Sequence, residues 1–214
     1  MNRVHVFCEG QTEETFVKEL MFDHFVTFGV FINPILVRTS RQGKGGVNTY
    51  AKIREQILRK CKEDTSSYVT MMIDFYRIPP DTPGQILMEK EFNPYRKVVS
   101  IEKAIGDDIG QPNFIPNVLL HEFEGLLFSD LEPFKDWFDE REVNSLFEES
   151  RDFESPEHVD DGMQTAPSKR ILKNCASYDK IIHGTLIALE IGLDAIRGKC
   201  KHFDSWVSKL EHLG

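Results

Sequence analysis

The chain opens with an apolar run that ends on a carboxylate and a glycine, and this pattern restricts the fold more than any other feature. Residues 4–8 predict a buried strand, Glu9 and Gly10 predict its end and a turn, and Thr12 is the expected N-cap of a helix reaching about residue 28. In open α/β sheets, ligands collect outside the carboxyl ends of the strands. Glu9 is therefore expected at the functional edge of a sheet.

Further apolar runs alternate with helix-length spacers, which is typical of a right-handed parallel sheet. The sequence predicts further strands at residues 31–37, 68–73 and 114–120, with helices over 49–64 and 95–105. Pro34 indicates that the second strand lies at an edge or contains a bulge.

After residue 128 the strand signals stop, and only helical patterns follow. These helices are predicted around residues 132–148, 168–173, 180–191 and 203–213. We expect an α/β core of Rossmann-like type over residues 1–130, with a parallel sheet flanked by helices. A helical C-terminal extension over residues 131–214 is expected to pack on this core.

The composition is that of a folded globular protein, with 214 residues, 40% of them hydrophobic and 29% charged. No run approaches the roughly 18 apolar residues that span a bilayer, and the first strand follows Met1 too closely for a signal segment. We therefore expect a cytoplasmic protein without a membrane partner. The four cysteines are scattered without zinc-type spacing, which predicts reduced thiols.

The net charge of −9 excludes the overall basic footprint of a protein that holds nucleic acid by itself, but the charge is segregated. Residues 37–62 carry eight Lys or Arg against one Glu, a local charge of +7. Residues 129–161 carry thirteen acids against three basic residues, a local charge of −10. One surface is therefore expected to attract phosphate, and another to repel phosphate or bind a basic partner.

The basic segment contains a glycine-rich loop at residues 42–46, with Arg41 and Lys44 as expected phosphate contacts. The loop lacks both the GxxxxGK[ST] and the GxGxxG spacing of nucleotide-binding proteins. A flexible turn is the alternative interpretation. A nucleotide-binding phosphotransferase is disfavoured for the same reason.

Further acids follow the other strands. Asp74 ends the third strand, and Glu9 and Asp74 are predicted to converge within about 6 Å on one divalent cation. His121, Glu122 and Glu124 follow the fourth strand, and on a helix at most one of the two glutamates is expected to face that cation. Alternatively, the glutamates cap a helix and His121 bonds to the backbone.

Two basic residues, Lys169 and Arg170, open a short helix that Ser168 is expected to cap. Cations at a helix N-terminus oppose the macrodipole, so contact with phosphate explains them better than local stabilisation. Solvated surface charge is the alternative. His183, one turn after Lys180, is interpreted as a core histidine or a proton carrier.

The segment FCEGQTEETF, followed by the strand end at Asp74, resembles the Toprim fold, the catalytic module of topoisomerases, primases and the overcoming-lysogenization-defect nucleases. More closely, the whole chain resembles a bacterial domain-of-unknown-function family numbered 4276 and described as Toprim-like. The matching stretches are residues 9–13, 73–76 with 83–84, 121–124, 166–170 and 191–197.

The resemblance implies Toprim chemistry, in which a strand-end glutamate and a DxD pair bind magnesium. Glu9 matches the glutamate and Asp74 the first aspartate, while Tyr76 stands in place of the second. A tyrosine does not replace a carboxylate as a ligand of a hard cation, and Asp81 is a weaker substitute. Either Glu13, Glu122 or Glu124 completes the coordination, or the fold exists without nuclease chemistry.

Our leading hypothesis is a Toprim-type nuclease dependent on Mg²⁺ or Mn²⁺, acting on DNA or RNA in bacterial defence or nucleic-acid processing. The predicted roles are metal binding by Glu9, Asp74 and Glu122 or Glu124, deprotonation of water by Glu13 or His121, and phosphate binding by Lys169, Arg170, Arg41 and Lys44. The alternative is a non-catalytic module that docks on an ATPase through the acidic stretch of residues 129–161.

Overall fold

The computed structural model describes residues 2–38, 49–76, 78–85, 91, 93–159 and 165–214. Within these ranges the chain forms one parallel sheet in the order β2-β1-β3-β4. The strands are β1 Asn2–Cys8, β2 Val30–Leu36, β3 Tyr68–Met72 and β4 Phe114–Ile115. The α/β class is confirmed, and Pro34 lies on the edge strand β2 as predicted.

Helices flank this sheet and make up most of the chain after it. They are α1 Gln11–Phe16, α2 Phe22–Thr27, α3 Tyr50–Glu63, α4 Pro94–Ile109, α5 Phe123–Leu127, α6 Glu140–Ser150, α7 Pro167–Asn174, α8 Thr185–Ile191, α9 Leu193–Lys199 and α10 Lys201–Glu211. Two π-helical turns, Val17–Met21 and Lys180–Gly184, precede α2 and α8, and two 3₁₀ turns span Glu132–Asp136 and Pro156–His158.

Successive side chains of a strand point to opposite faces of a sheet. Both faces of this sheet are buried, so each strand contributes to two apolar clusters. On one face, Val4 and Val6 of β1 belong to the apolar cluster that contains Phe16 of α1 and Phe203 of α10. On the other face, Phe7 lies in a second cluster, with side chains of α3 and α4. This two-sided covering is the usual arrangement of a parallel sheet.

The C-terminal helices pack directly on the sheet. The indole of Trp206 in α10 is fully buried, and its Nε1 donates a hydrogen bond of 2.9 Å to Thr70 Oγ1 of β3. The predicted helical extension therefore shares a hydrophobic cluster with the core. The division at residue 130 stays a prediction.

Two predicted helix caps are wrong. Thr12 lies inside α1, whose N-cap is the extended Gly10, and its hydroxyl points instead at the Lys180 carbonyl, 3.5 Å away. Ser168 lies inside α7, whose N-cap is Ala166. Each helix begins earlier than the sequence indicated, because tertiary contacts hold the expected capping residue inside the first turn.

The fourth strand is shorter than the predicted range of residues 114–120. Pro116 lacks the N–H needed to continue the ladder, so β4 ends at Ile115. The side chain of the buried Asn117 then donates to the Met71 carbonyl at 3.0 Å. The chain rejoins the sheet through an isolated parallel bridge between Asp74 and Leu119.

Two expectations from composition can be compared with the structure. All four cysteines are buried free thiols, in agreement with the prediction of reduced cysteines. Within the described ranges, no helix has both the length and the apolar character needed to cross a bilayer.

The Trp206–Thr70 hydrogen bond should make the stability effects of substitutions at these two residues non-additive. We expect Trp206→Phe and Thr70→Val each to lower the free energy of unfolding by about 1–3 kcal/mol, because each leaves a buried polar group without its partner. The double variant should lose less than the sum, since it removes both groups. Urea unfolding of the four proteins measures the coupling, and strict additivity would contradict it.

Candidate functional site

The ends of β1 and β3 bring two acidic residues together at one edge of the sheet. Glu9 directly follows β1, and Asp74 follows β3 by two residues. The Asp74 backbone N–H donates to Glu9 Oε2 at 3.2 Å. The expected neighbourhood of these strand-end acids is therefore present.

Helix α5 starts against the same acids. Asp74 is 7% exposed, and its Oδ1 accepts a hydrogen bond of 2.9 Å from the Phe123 N–H in the first turn of α5. Glu122 is the N-cap of α5 in an extended conformation, and its Oε2 accepts from the Ser168 N–H at 3.0 Å. Because Glu122 precedes the helix, it lines the same cavity as Glu124. The expectation that at most one of them faces a bound cation stays a prediction.

These residues enclose a cavity of about 250 Å³ at the carboxyl edge of the sheet. It is lined by Glu9, Asp74, Glu122, Glu124, Ser168, Leu172, Tyr178 and Lys180, which we call the carboxylate cavity. Glu13 of α1 lies next to it and is 1% exposed. A Cβ atom on Gly10 would approach Glu13 Oε2 to 2.9 Å, so the glycine allows this carboxylate to sit against the turn after β1.

Lys180 is the basic residue of the cavity, and the sequence analysis did not assign it a role. Its Nζ lies 3.1 Å from Glu124 Oε2, 3.3 Å from Glu13 Oε1 and 3.7 Å from Asp74 Oδ2. One ammonium therefore contacts three buried carboxylates from three segments of the chain.

The position of Lys180 is fixed by the turn that carries it. Asp179 Oδ1 accepts hydrogen bonds of 2.9 Å from the N–H groups of Ile181 and Ile182, and the Asp179 N–H donates to His183 Nδ1 at 2.8 Å. An aspartate before a helical pattern is an N-terminal signature that the sequence contained. That signature indicates where the turn begins but not which side chain enters the cavity.

Burial and the opposite charge nearby shift the pKa of each group in this cluster in opposite directions. Burial raises the pKa of Asp74 well above its ordinary value, and the Lys180 ammonium offsets only part of this. Burial likewise raises the pKa of Glu124, again against Lys180. For Lys180 itself, burial lowers the pKa, but Asp74, Glu124 and Glu13 together raise it by more than burial lowers it. The pKa therefore lies above its ordinary value, and the amine stays charged. A single cation thus faces an excess of carboxylates.

The donor chemistry of the cavity suits a hard cation, whereas its present geometry suits an ammonium. All the acidic side chains offer oxygen ligands of the kind Mg²⁺ and Mn²⁺ prefer, and the buried Glu13 Oε2 has no hydrogen-bond partner in the described parts of the chain. Among those same residues, no three or more His, Cys, Asp or Glu are already spaced to hold a metal ion. Lys180 lies among the carboxylates instead.

The two histidines singled out by sequence do not line the carboxylate cavity. His121 adopts a left-handed backbone with φ of 64°, and its Nε2 lies 3.1 Å from the Glu157 carbonyl oxygen. This contact corresponds to the alternative interpretation, in which the imidazole bonds to backbone. His183 packs on the rings of Trp137, Phe138 and Tyr178, in line with a packing role.

Two of the predicted phosphate contacts, Lys169 and Arg170, do not line the carboxylate cavity. Arg170 donates from Nε to the Thr165 carbonyl at 2.7 Å, lies 3.7 Å from Glu149 and stacks over the ring of Phe153. These groups engage the guanidinium of Arg170, and its phosphate-binding role stays a prediction. Lys169 is exposed and does not line the cavity, and Arg41 and Lys44 fall outside the described residues.

Asp81 does not replace the second aspartate of a DxD pair. Its two carboxylate oxygens accept hydrogen bonds from the N–H groups of Tyr50 and Ala51, at 2.7 and 3.1 Å. The hydrogen bond from Tyr50 is the main cause of the lowered pKa of Asp81. Asp81 thus caps helix α3, a role that its distance in sequence from Tyr50 concealed.

The chain is similar to a known protein family and to a solved structure. The family model described as a domain of unknown function, DUF4276, matches residues 8–211. No curated protein matches the sequence. Among solved structures, the C-terminal region of the OLD protein of Xanthomonas campestris pv. campestris is similar, with 16% identity and a TM-score of 0.43 over 100% of this chain and 99% of that chain.

The three carboxylates around Lys180 predict that replacing this lysine destabilises the protein, and that the loss of stability depends on pH. We expect Lys180→Met to lower the free energy of unfolding at pH 7.5, by less than the roughly 3–5 kcal/mol of a fully buried pair, since the Lys180 side chain is 39% exposed. A carboxyl with a raised folded-state pKa stabilises the fold when protonated, and that stability is lost as pH rises through the raised pKa. The deficit of the variant should therefore shrink as pH falls towards 5.

Urea unfolding at pH 5 and pH 7.5 measures this deficit. Lys18→Met is the matched control, because Lys18 makes only a surface i,i+4 pair with Glu14. The control should stay within about 0.5 kcal/mol of the parent at both pH values. A Lys180→Met penalty that is independent of pH would contradict the role assigned to Lys180.

Proposed function

The chain belongs to the DUF4276 family, and from that premise we propose that it is a metal-dependent phosphodiesterase of the nuclease class, acting on nucleic acid in the cytoplasm. One observation carries the proposal: acidic side chains from four segments converge at the carboxyl edge of a parallel sheet around a single lysine. Burying so many like charges is unfavourable for folding alone, and such clusters are typical of functional sites.

The residues that would hold Mg²⁺ or Mn²⁺ are Glu9 and Asp74, with Glu122 or Glu124 as the additional ligand. Their oxygens suit a hard cation, and Asp74, Glu122 and Glu124 are buried. When bound, a divalent cation supplies charge that polarises a phosphodiester and stabilises the leaving oxygen.

Two side chains of the cavity region have roles that follow from their own contacts. Glu13 is the proposed proton acceptor, because its buried Oε2 has no hydrogen-bond partner within the described ranges. Lys180 is the proposed phosphate contact, because it lines the cavity and its side chain is partly exposed. It takes the role that the sequence had suggested for Lys169 and Arg170.

The size of the cavity limits what enters it. At about 250 Å³ it is smaller than the roughly 300–1,000 Å³ of pockets that enclose drug-sized ligands. One phosphodiester and its adjoining groups fit this volume. We therefore propose that a single phosphodiester occupies the cavity at a time.

A second candidate function is a non-catalytic module that binds an ATPase. The observation that favours it is Lys180 itself, since an ammonium between carboxylates can neutralise them without any metal ion. On this alternative the cavity is a structural ion cluster, and the acidic stretch of residues 129–161 is the docking surface.

We expect Glu9→Gln and Asp74→Asn each to lower Mg²⁺-dependent cleavage of nucleic acid at least about 100-fold. The reason is that even outer-shell changes at metal sites cost 10–100-fold. Both amides keep an oxygen that can accept the hydrogen bonds from the Asp74 and Phe123 N–H groups, so the fold should survive. Cleavage of labelled single-stranded DNA and RNA with Mg²⁺ or Mn²⁺ is the measurement.

Glu14→Gln is the matched control, because Glu14 neighbours Glu13 in sequence but pairs with Lys18 at the surface. Its activity should equal that of the parent protein. Calorimetry with Mn²⁺ separates the two candidate functions: saturable binding that Glu9→Gln abolishes supports the phosphodiesterase. The absence of both metal binding and cleavage in the parent protein would favour the docking module.

A further inference from the structure

We propose that the Tyr178 hydroxyl is a hydrogen-bond donor to a phosphate oxygen held in the carboxylate cavity, an inference that rests on the proposed function. Tyr178 lines the cavity and is only 7% exposed. Its hydroxyl has no hydrogen-bond partner among the residues the structure describes. A buried hydroxyl without a partner is unfavourable, so its retention in a cavity points to a ligand.

Two other tyrosines of this chain, one buried and one partly buried, use their hydroxyls within the protein. Tyr50 donates to Asp108 Oδ2 at 2.9 Å, and Tyr95 donates to Glu157 Oε2 at 2.7 Å. The fold therefore does provide acceptors for phenol groups where the hydroxyl is structural. Tyr178 differs because it lines the cavity and its buried hydroxyl has no such acceptor among the described residues.

The surroundings of Tyr178 hold its ring and leave room for its oxygen. The rings of Phe138 and His183 lie with centroids 6.4 and 6.1 Å from that of Tyr178. A Cβ atom on Gly184 would approach the Tyr178 hydroxyl oxygen to 2.7 Å, so only glycine leaves this space open. Packing, and not a hydrogen bond, fixes the direction of the hydroxyl.

The cavity lining holds two kinds of polar group, and Tyr178 belongs to the kind that can bind an anion. Glu9, Asp74 and Glu124 offer only acceptors when ionised, whereas Tyr178 and Lys180 offer donors. Burial, with the nearby Glu124, raises the pKa of Tyr178, so the phenol stays protonated at neutral pH. A neutral donor adds no charge beside the carboxylates and can still bond to a phosphate oxygen, as tyrosines do in nucleic-acid complexes.

Tyr178→Phe tests the proposal because it removes the hydroxyl alone. The probe is inorganic phosphate titrated calorimetrically in the presence of Mg²⁺. We expect the affinity to fall about tenfold or more, since a hydrogen bond to an anion is lost. The unfolding temperature should stay unchanged or rise, because the variant no longer buries an unpaired hydroxyl.

Tyr95→Phe is the matched control. It also removes a hydroxyl, but one that donates to Glu157 in the interior. Its unfolding temperature should fall, while its phosphate affinity should match that of the parent protein. The two tyrosines are therefore expected to respond in opposite ways in the two assays.

Gly184→Ala provides a second variant. The added methyl group should displace the Tyr178 hydroxyl and weaken phosphate binding as Tyr178→Phe does. In the Tyr178→Phe background the oxygen in its way is gone, so the same methyl group should have a much smaller effect on affinity.

The outcomes separate this inference from the proposed function. Phosphate binding that depends on Tyr178 supports the inference even if no nucleic acid is cleaved, a result that counts against the proposed function alone. Unchanged phosphate affinity in Tyr178→Phe overturns the inference, even where the parent protein cleaves nucleic acid. Failure of the parent protein to bind phosphate, or a Tyr178→Phe stability loss like that of Tyr95→Phe, also overturns it.

Discussion

The contact of the Lys180 ammonium with three carboxylates is the interaction on which the carboxyl edge of the sheet depends. Glu13, Asp74 and Glu124 come from α1, from the end of β3 and from α5, and each is almost fully buried. Without a cation between them, their mutual repulsion and their desolvation would oppose packing of these elements. Neutralisation of the cavity by Lys180 is nevertheless incomplete, because Glu9 and Glu122 line the same cavity. The cavity therefore holds more acidic side chains than the one lysine can neutralise.

The sequence predicted the parts of the fold that depend on short-range pattern. The strand positions followed from apolar runs, and the edge position of β2 followed from Pro34, because both signals come from neighbouring residues. The errors arose where distant groups decide the outcome. Asp81 caps a helix thirty-one residues earlier in the chain, and Asn117 replaces a strand hydrogen bond after Pro116. No local pattern indicates such partners.

The candidate site was predictable to the same extent. Glu9 and Asp74 were found because a carboxylate at a strand end is visible in sequence and parallel strands end at one edge. Lys180 and Tyr178 were missed because their positions in the cavity depend on a C-terminal segment packing over that edge. The contacts of Arg170 were not predicted for a related reason: Glu149 and the Thr165 carbonyl, which engage its side chain, cannot be identified as its partners from the local sequence.

The π-helical turn after α1 allows one helical segment to contribute side chains both to the site and to the apolar core. Glu13, Val17, Met21 and Phe25 are all buried and recur at intervals of four residues. In a regular α-helix, steps of four residues rotate the buried face by about 40° each, so Phe25 would lie roughly 120° from Glu13. The π turn Val17–Met21 has more residues per turn and removes much of this rotation. One continuous helical segment can thus aim Glu13 at the carboxylate cavity and keep Met21 and Phe25 in the apolar cluster.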